Sequence, residues 1–242
     1  MADFKIAGND DTGFLKVIAF ITMAIDHIGY LFFPEEIIFR IIGRIAFPIF
    51  AYCVVLGYLH TKNLKKYFLR LLVFSLVSQL PYMLCFYPES LGIYPENEII
   101  IQSVSASHLS GINLNIGFTM LLGLWGIYGL DKKKYWQTGI AVLLSFIPAV
   151  EYGAYGVVFM LVSYFFIFSE KEIFISAAAI SLASPIFKVF ISGFLDPQFF
   201  AVFAVLLIGA KTATKIRIPR WINYGFYPAH LCILAALNFM IN

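Results

Sequence analysis

The sequence predicts an all-α membrane protein, a polytopic bundle of about nine transmembrane helices, and three observations lead to this fold class. First, 61% of the 242 residues are hydrophobic and only 13% are charged, whereas a soluble domain has roughly 45–50% apolar and about 25% charged residues. Second, apolar runs close to the ~20 residues needed to cross a bilayer follow one another along the chain. Third, the basic residues are concentrated in alternate connecting segments.

The apolar runs define the predicted helices, which we assign to a single integral membrane domain, residues 1–242. They lie near 14–33, 37–59, 66–87, 111–130, 136–150, 154–169, 172–192, 197–210 and 221–241. The residues before Phe14 lack the basic region and cleavage site of a secretory signal, so we expect the first helix to remain in the mature protein. Cys53, Cys85 and Cys232 lie in apolar runs without metal-ligand spacing, and we expect no metal.

The distribution of basic residues predicts the orientation of the bundle. If the predicted helices cross alternately, all but three of the 17 Lys and Arg residues fall on one side. The positive-inside rule makes that side the cytoplasm. We therefore expect a cytoplasmic N-terminus and an external C-terminus in a bacterial cytoplasmic membrane. The three exceptions, Arg40, Arg44 and Lys188, lie toward the outer ends of their helices.

The first predicted helix, "FLKVIAFITMAIDHIGYLFF", carries Asp26 and His27 in its outer half. Ionisable side chains inside a bilayer are costly, and they are functional candidates for that reason. Neighbouring residues of a helix point about 100° apart, so these two side chains cannot share one face. Each is therefore expected to meet a different helix.

The second predicted helix contains "FRIIGRIAFPIF", in which Arg40 and Arg44 lie four residues apart on one face. Pro48 cannot donate a helical hydrogen bond to the Arg44 carbonyl, so a bend of the helix is predicted there. A buried guanidinium needs a partner, and Asp26 lies one short loop away. An ion pair between helices would account for these residues, but it leaves His27 unexplained.

Further polar residues predict a polar cavity in the outer half of the bundle. They are Asn115 and Thr119 in the fourth helix, Glu151 in the following outer turn, Lys188 in the seventh helix, and Tyr227 and His230 in the ninth. The basic residues of the inner loops could contact anionic lipid or hold the phosphates of an anionic ligand. These residues are Lys62, Lys65, Lys66, Arg70, Arg217 and Arg220. No nucleic-acid module, zinc signature, nucleophile elbow or phosphate-binding glycine loop is present.

Several motifs together resemble the TraX family over most of the chain. They are "LKVIAFITMAIDHIGYLFFP", "GRIAFPIFAYCVVLGYLHT", "RLLVFSLVSQLPY", "NIGFTMLLGLW", "EYGAYGV" and "YPAH", in that order. The family takes its name from an acetylase of the F-pilin amino terminus, a protein of conjugation. It looks related to acyltransferase family 3 and heparan-α-glucosaminide N-acetyltransferase. This resemblance implies catalysis by a membrane histidine, acetyl-CoA as the donor substrate and an acceptor across the membrane.

The resemblance implies that His27, in the "DHIG" motif, is the catalytic residue. Asp26, Arg40, Arg44, Asn115 and His230 become its supporting residues by position, and Thr119, Glu151, Lys188 and Tyr227 are further supporting or substrate-binding candidates. Two positions depart from the family pattern. Gln79 stands where an acid is expected, and Glu151 stands where Asp is common.

The expected function is acetyl transfer from cytoplasmic acetyl-CoA to an amine or hydroxyl reached from the outer side, such as a pilin amino terminus or a glycan. His27 would take the proton of the acceptor or carry the acetyl group covalently. Arg44 or Asn115 would stabilise the oxyanion. The phosphates of CoA would lie near the inner basic residues.

Two other functions are consistent with parts of the sequence. A proton-coupled carrier for a small anionic solute also uses intramembrane Asp, His and Arg residues, but the two halves show no inverted repeat. A non-catalytic scaffold leaves the intramembrane charges without a role.

Overall fold

The structure, a computed structural model, describes residues 6–93, 113–168, 175–183, 186, 196–214 and 216–241. The α-helices are α1 Thr12–Phe32, α2 Ile37–Gly43, α3 Ala46–His60, α4 Leu64–Phe86, α5 Ile116–Asp131, α6 Tyr135–Ser145, α7 Gly153–Phe166, α8 at 175–183, α9 Phe203–Gly209 and α10 Arg220–Ile241. Short 3-10 helices cover Pro88–Leu91 and Pro197–Val202. Within the described residues there is no strand, and the predicted all-α class is confirmed.

Four helical stretches are long and apolar enough to cross a membrane by themselves. They are Thr12–Phe32, Ile37–His60, Leu64–Phe86 and Arg220–Ile241. The other apolar helices are shorter, and the 14 residues of α7 extend only about 21 Å, less than the ~30 Å hydrocarbon core. The structure therefore gives a helical membrane protein with four candidate spans.

The α4 helix shows how the bundle faces lipid. On its outward side the apolar residues Leu69, Val73, Leu76, Val77 and Leu80 are each at least half exposed. Its opposite side is buried and includes Leu71, Ser75, Ser78 and Tyr82. Soluble monomers rarely expose a continuous apolar stripe of this kind, and a bilayer would cover it.

The second predicted helix is interrupted where its proline predicted a bend. Helix α2 ends at Gly43 and α3 starts at Ala46, so the turn between them contains Arg44, the residue whose carbonyl lacks a helical donor because position 48 is proline. The interruption divides the predicted helix into two helices, whereas the sequence predicted one bent helix. That proline lies in the first turn of α3, where a missing amide hydrogen costs little. Position 43 is a glycine because a methyl group there would overlap the Asp26 carboxylate.

Three other predicted helices differ from the structure in extent. The predicted 136–150 helix is shorter, at Tyr135–Ser145. The predicted 197–210 helix begins as the 3-10 helix Pro197–Val202 and becomes α-helical only at α9. Most of the second half of the predicted 172–192 helix lies outside the described residues.

The α1 helix holds the bundle together because it packs against α2, α3 and α10. Helix α3 also contacts α5 and α7, and Tyr52, Leu56 and Ile49 on this helix are fully buried. These contacts bring the second half of α1, the α2–α3 break and α10 to one end of the bundle.

Candidate active site

A cavity of about 490 Å³ lies where α1, the α2–α3 break, α4, α10 and the turn before α7 meet. One histidine, two arginines and two carboxylates line it: Asp26, His27, Arg40, Arg44 and Glu151. Much of the remaining wall is aromatic and includes Tyr82, Phe86, Tyr152 and Tyr227. A concave pocket with a few convergent polar groups is the first place to expect a ligand. We call it the main cavity.

The carboxylate of Asp26 holds both arginines. The Nη2 atom of Arg44 donates to its two oxygens at 3.2 and 3.0 Å, and Nη1 of Arg40 lies 3.1 Å from Oδ1. The side chains of Asp26 and Arg44 are only 10% and 15% exposed. The predicted ion pair is present and involves both arginines, so the group carries one net positive charge.

The α1–α2 hairpin places these charges together. Gly29 of α1 is so close to Phe39 of α2 that a methyl group there would overlap the phenyl ring. At the end of α2, Nε of Arg44 donates to the Arg40 carbonyl at 3.3 Å, which holds the guanidinium beside the break. The Arg40 guanidinium also lies 5.1 Å from the centre of the Tyr30 ring, a cation–π distance.

His27 takes part in a hydrogen-bond chain that fixes its tautomer. Its Nδ1 lies 2.8 Å from Nε2 of His230, and Nδ1 of His230 lies 2.9 Å from the Phe226 carbonyl oxygen. A carbonyl only accepts, so Nδ1 of His230 carries the hydrogen and its neutral ring accepts at Nε2. His27 must then donate from Nδ1, and its Nε2 holds a lone pair. Within the described part of the chain, this Nε2 forms no hydrogen bond.

The two imidazole rings lie side by side in nearly one plane. Their centres are 5.0 Å apart and their planes differ by 9°, which is the geometry that a 2.8 Å in-plane hydrogen bond requires. The edge of Phe86 meets the His27 ring at 5.0 Å, and Phe226 stacks on His230 at 5.1 Å. The aromatic packing therefore holds the lone pair of His27 in one direction, as a reactive group needs.

Glu151 lies in the turn before α7 and also lines the main cavity. Its Oε2 atom is buried and has no hydrogen-bond partner among the described residues. Burial raises the pKa of Glu151 to about 7, although Arg44, the Ile116 amide and Arg40 oppose this shift. The carboxyl group can therefore gain or lose a proton near neutral pH.

Comparison with known proteins identifies the family. The sequence model described as TraX protein matches residues 11–238. The chain belongs to the TraX family. A relative named "Probable fimbrial assembly protein FimC, serogroup H1", from Dichelobacter nodosus, is 25% identical over 250 residues, which cover 94% of this chain and 95% of the relative.

A second relative matches a shorter part of this TraX-family chain. It is named "Uncharacterized protein RP591", from Rickettsia prowazekii (strain Madrid E), and is 42% identical over 66 residues, or 27% of this chain and 25% of the relative. No solved structure matches the chain.

Asn115 does not line the main cavity of this TraX-family chain. It is the N-cap of α5, where its Oδ1 accepts from the Gly117 amide at 2.9 Å. Its Nδ2 donates to the Ser75 carbonyl and to Oε1 of Gln79, both at 2.8 Å. The predicted role of Asn115 as an oxyanion donor is therefore wrong, because both of its donor hydrogens are already used.

Gln79 stands where the TraX resemblance led us to expect an acid, and its hydrogen bonds explain the difference. Its Nε2 donates to the Asn113 carbonyl at 2.6 Å, and its Oε1 accepts from the Asn115 amide at 3.1 Å. A carboxylate could not make the first of these bonds. Gln79 thus holds the start of α5 in place.

The other predicted residues divide between the cavity and its supports. Tyr227 lines the cavity, with its ring centre 6.3 Å from that of His27. Thr119 lies behind the wall, where its hydroxyl donates to the Glu151 carbonyl and so fixes the turn that carries this acid. Lys188 lies outside the described residues.

The inner basic residues lie away from the main cavity. Lys62, Lys65, Lys66, Arg217 and Arg220 are exposed. Arg70 is half-buried, with its guanidinium 5.8 Å from the centre of the Tyr67 ring. Their predicted role in binding phosphates stays a prediction.

The sequence analysis missed Gln198 and most of the aromatic wall. Gln198 is buried, lines the main cavity, and its Nε2 has no hydrogen-bond partner in the described part of the chain. A polar residue in the otherwise largely apolar segment "FLDPQFF" could have indicated Gln198. The sequence could not distinguish Tyr82 or Phe86 from the other aromatic residues, because the chain contains 26 Phe and 14 Tyr residues.

Proposed function

We propose that the main cavity is the active site of a membrane acyltransferase, which moves an acetyl group from acetyl-CoA to an amine or hydroxyl acceptor. The observation that carries this proposal is the chain from the Phe226 carbonyl through His230 to His27. It leaves Nε2 of His27, a residue lining the cavity, without a proton. An imidazole in this state is a suitable general base near neutral pH.

In the proposed reaction, Nε2 of His27 takes the proton of the acceptor as the acceptor nitrogen or oxygen attacks the thioester carbon. A new C–N or C–O bond forms and the C–S bond breaks. The proton then passes from His27 to the departing CoA thiolate. His230 is a positioning residue, because its hydrogen bond to Nδ1 holds the ring and stabilises the positive charge that His27 carries for a time.

The two arginines can supply positive charge beside the thioester carbonyl oxygen. Negative charge develops on the thioester carbonyl oxygen during attack, and positive groups fixed in advance stabilise it. Asp26 neutralises only one of Arg40 and Arg44. The guanidinium hydrogens not used by Asp26 can then serve the oxyanion.

The name of one relative suggests the class of acceptor. The Dichelobacter relative is named for fimbrial assembly, and we propose a fimbrial or pilin subunit as the acceptor, through its amino terminus. The free Oε2 of Glu151 suits this assignment because a carboxylate binds an ammonium group and can take one of its protons, which leaves the neutral amine that attacks the thioester. A sugar hydroxyl is the alternative acceptor.

The test is acetyl transfer by the purified protein. Labelled acetyl-CoA is incubated with a peptide carrying a free amino terminus, with the same peptide blocked at that terminus, and with a sugar acceptor. Labelled peptide formed only from the free terminus supports the amine assignment, and labelled sugar would move the acceptor to hydroxyls. Label that stays on CoA with all three acceptors would count against an acetyltransferase.

We also propose the nine-helix topology, with the N-terminus in the cytoplasm of a bacterial cell and the C-terminus outside. Lys134 between α5 and α6 and Glu35 between α1 and α2 are both exposed and lie on opposite sides in this topology. In intact cells a membrane-impermeant thiol reagent is expected to label Glu35→Cys and not Lys134→Cys. Labelling of Lys134→Cys before cell lysis would contradict the orientation.

Glu151 gives the protein a predictable dependence of stability on pH. Its pKa of about 7 lies above its usual value of 4.5, so the folded state holds this proton more tightly than the unfolded state does. Its contribution is fully present below about pH 4.5 and is lost as pH rises to about 7, by up to about 3 kcal/mol. The melting temperature of the wild type should fall relative to that of Glu151→Gln over this range. Parallel curves would contradict the assignment.

A further inference from the structure

A second cavity, of about 180 Å³, lies between α1, α3, α4 and α10. Its walls are mainly apolar and aromatic and include Cys53, Val54 and Phe74. Lys16 is the charged residue among them, and Asn223 contributes an amide. We call it the second cavity.

The two cavities share part of their walls. Met23, Phe50, Ile116 and Tyr227 line both of them. On α1 the second cavity is lined by Lys16, Phe20 and Met23, and the main cavity by Met23, Asp26, His27 and Tyr30. The order on α3, α4 and α10 is consistent with this. The second cavity therefore continues the main cavity along the bundle axis, toward the end that carries the basic loops.

The length of this path suits an extended ligand. From Lys16 to Tyr30 the α1 helix rises about 21 Å. The shared wall lies one helical turn from the reactive histidine, because Met23 and His27 are four residues apart. A chain that enters past Lys16 would bring its far end to His27.

One unpaired polar atom in the wall of the second cavity indicates what kind of chain would fit. The Oδ1 atom of Asn223 is buried and lacks a hydrogen-bond partner among the described residues. Arg70 lies behind this wall, with its guanidinium over Tyr67, a residue of the second cavity. A buried acceptor without a partner is costly, and an N–H group of a ligand would satisfy it. A lipid acyl chain has no such group.

We propose that the second cavity binds the uncharged, amide-bearing arm that carries the thioester of the donor, and delivers the acyl carbon to the wall beside His27. This inference rests on the proposed acyltransferase function. The amide of Asn223 would accept from an N–H of the arm, and Arg70 and Lys16 would lie toward the anionic end of the same molecule. The acceptor would enter the main cavity from its other end.

The kinetic test uses one variant that fills the second cavity and one that removes its unpaired acceptor. Val54→Trp and Asn223→Leu are each expected to raise the KM for acetyl-CoA by about tenfold. The KM for the acceptor and the rate at saturating donor should stay near wild type. Leu72→Trp is the control, because Leu72 lies on α4 at a similar depth but is exposed on the outward side. If the KM for acetyl-CoA is unchanged in both cavity variants, the inference is overturned. The proposed acetyltransferase function would still stand, because both variants would still transfer the acetyl group.

A footprint of the ligand tests the site without using activity. Cys53 lines the second cavity, whereas Cys85 is buried elsewhere and Cys232 is exposed. CoA without an acetyl group should slow the alkylation of Cys53 by N-ethylmaleimide, measured by mass spectrometry, and leave Cys232 unchanged. Protection of Cys53 by phospholipid and not by CoA would overturn the inference. If Cys53 is unreactive in the free protein, CoA binding to Val54→Trp decides in its place, and unchanged affinity would overturn it.

Discussion

His27→Gln is expected to lower acetyl transfer by about 100-fold or more, because general bases contribute 10²–10⁴-fold to rate. Gln fills similar space and keeps a polar group facing His230, so the protein should fold and bind acetyl-CoA. Its side-chain amide cannot take the proton of the acceptor. The measurement is single-turnover transfer at saturating donor, with calorimetric CoA binding to the same variant.

The control for this variant is His60→Gln. His60 is exposed at the end of α3, and its Nδ1 bonds to the Leu56 carbonyl at 2.8 Å, away from both cavities. Its replacement should leave transfer near wild type. Transfer by His27→Gln at close to the wild-type rate would remove His27 from catalysis.

His230 allows the positioning role to be separated from proton transfer. In His230→Gln the side-chain oxygen can still accept from Nδ1 of His27, whereas His230→Leu offers no acceptor. We therefore expect a milder loss of rate for Gln than for Leu, with an unchanged KM for acetyl-CoA in both. Equal losses in the two variants would show that the hydrogen bond to His27 is not what matters.

Much of the site could be predicted because its signals are local in the sequence. The placement of Asp26 and His27 on different faces follows from helical geometry, and the structure shows them meeting α2 and α10 respectively. The pair with Arg40 and Arg44 followed from the cost of a buried charge and the short loop between the helices.

The contact between His27 and His230 could not be predicted, because 203 residues separate them and no periodic pattern links α1 to α10. The role of Asn115 was predicted wrongly for a related reason. The sequence places this residue at the start of a helix, but only the packing of α4 on α5 reveals that Ser75 and Gln79 occupy its amide hydrogens. Long-range partners decide which polar residues stay free for chemistry.

The break in the second helix combines a local signal with a long-range one. Pro48 leaves the Arg44 carbonyl without its helical donor, and the helix is interrupted at Arg44 and Ile45. The sequence alone could not show why position 43 is a glycine. The α1 helix comes so close that a methyl group at this position would overlap the Asp26 carboxylate.

The second large effect is expected from Asp26→Asn, which leaves two arginines without their counter-ion. Breaking a buried ion pair by removing one partner typically costs about 3–5 kcal/mol. Asp26 is 7% exposed and both of its oxygens bind Arg44, so little water can replace the lost charge. The yield of folded protein and the melting temperature should both fall, together with activity. Glu35→Gln, on the exposed loop between α1 and α2, should change neither.

A double replacement identifies the cause of that loss. If the cost comes from uncompensated positive charge, removing Arg40 in the Asp26→Asn background should recover part of the melting temperature, because it lowers the charge of the group from two to one. Arg40→Met in the wild-type background should destabilise much less than Asp26→Asn, since Arg44 still holds the carboxylate by two contacts. An Asp26→Asn protein with wild-type melting temperature and no transfer would contradict a structural role. Asp26 would then act on the substrate itself, and the arginines would serve to hold its carboxylate in position.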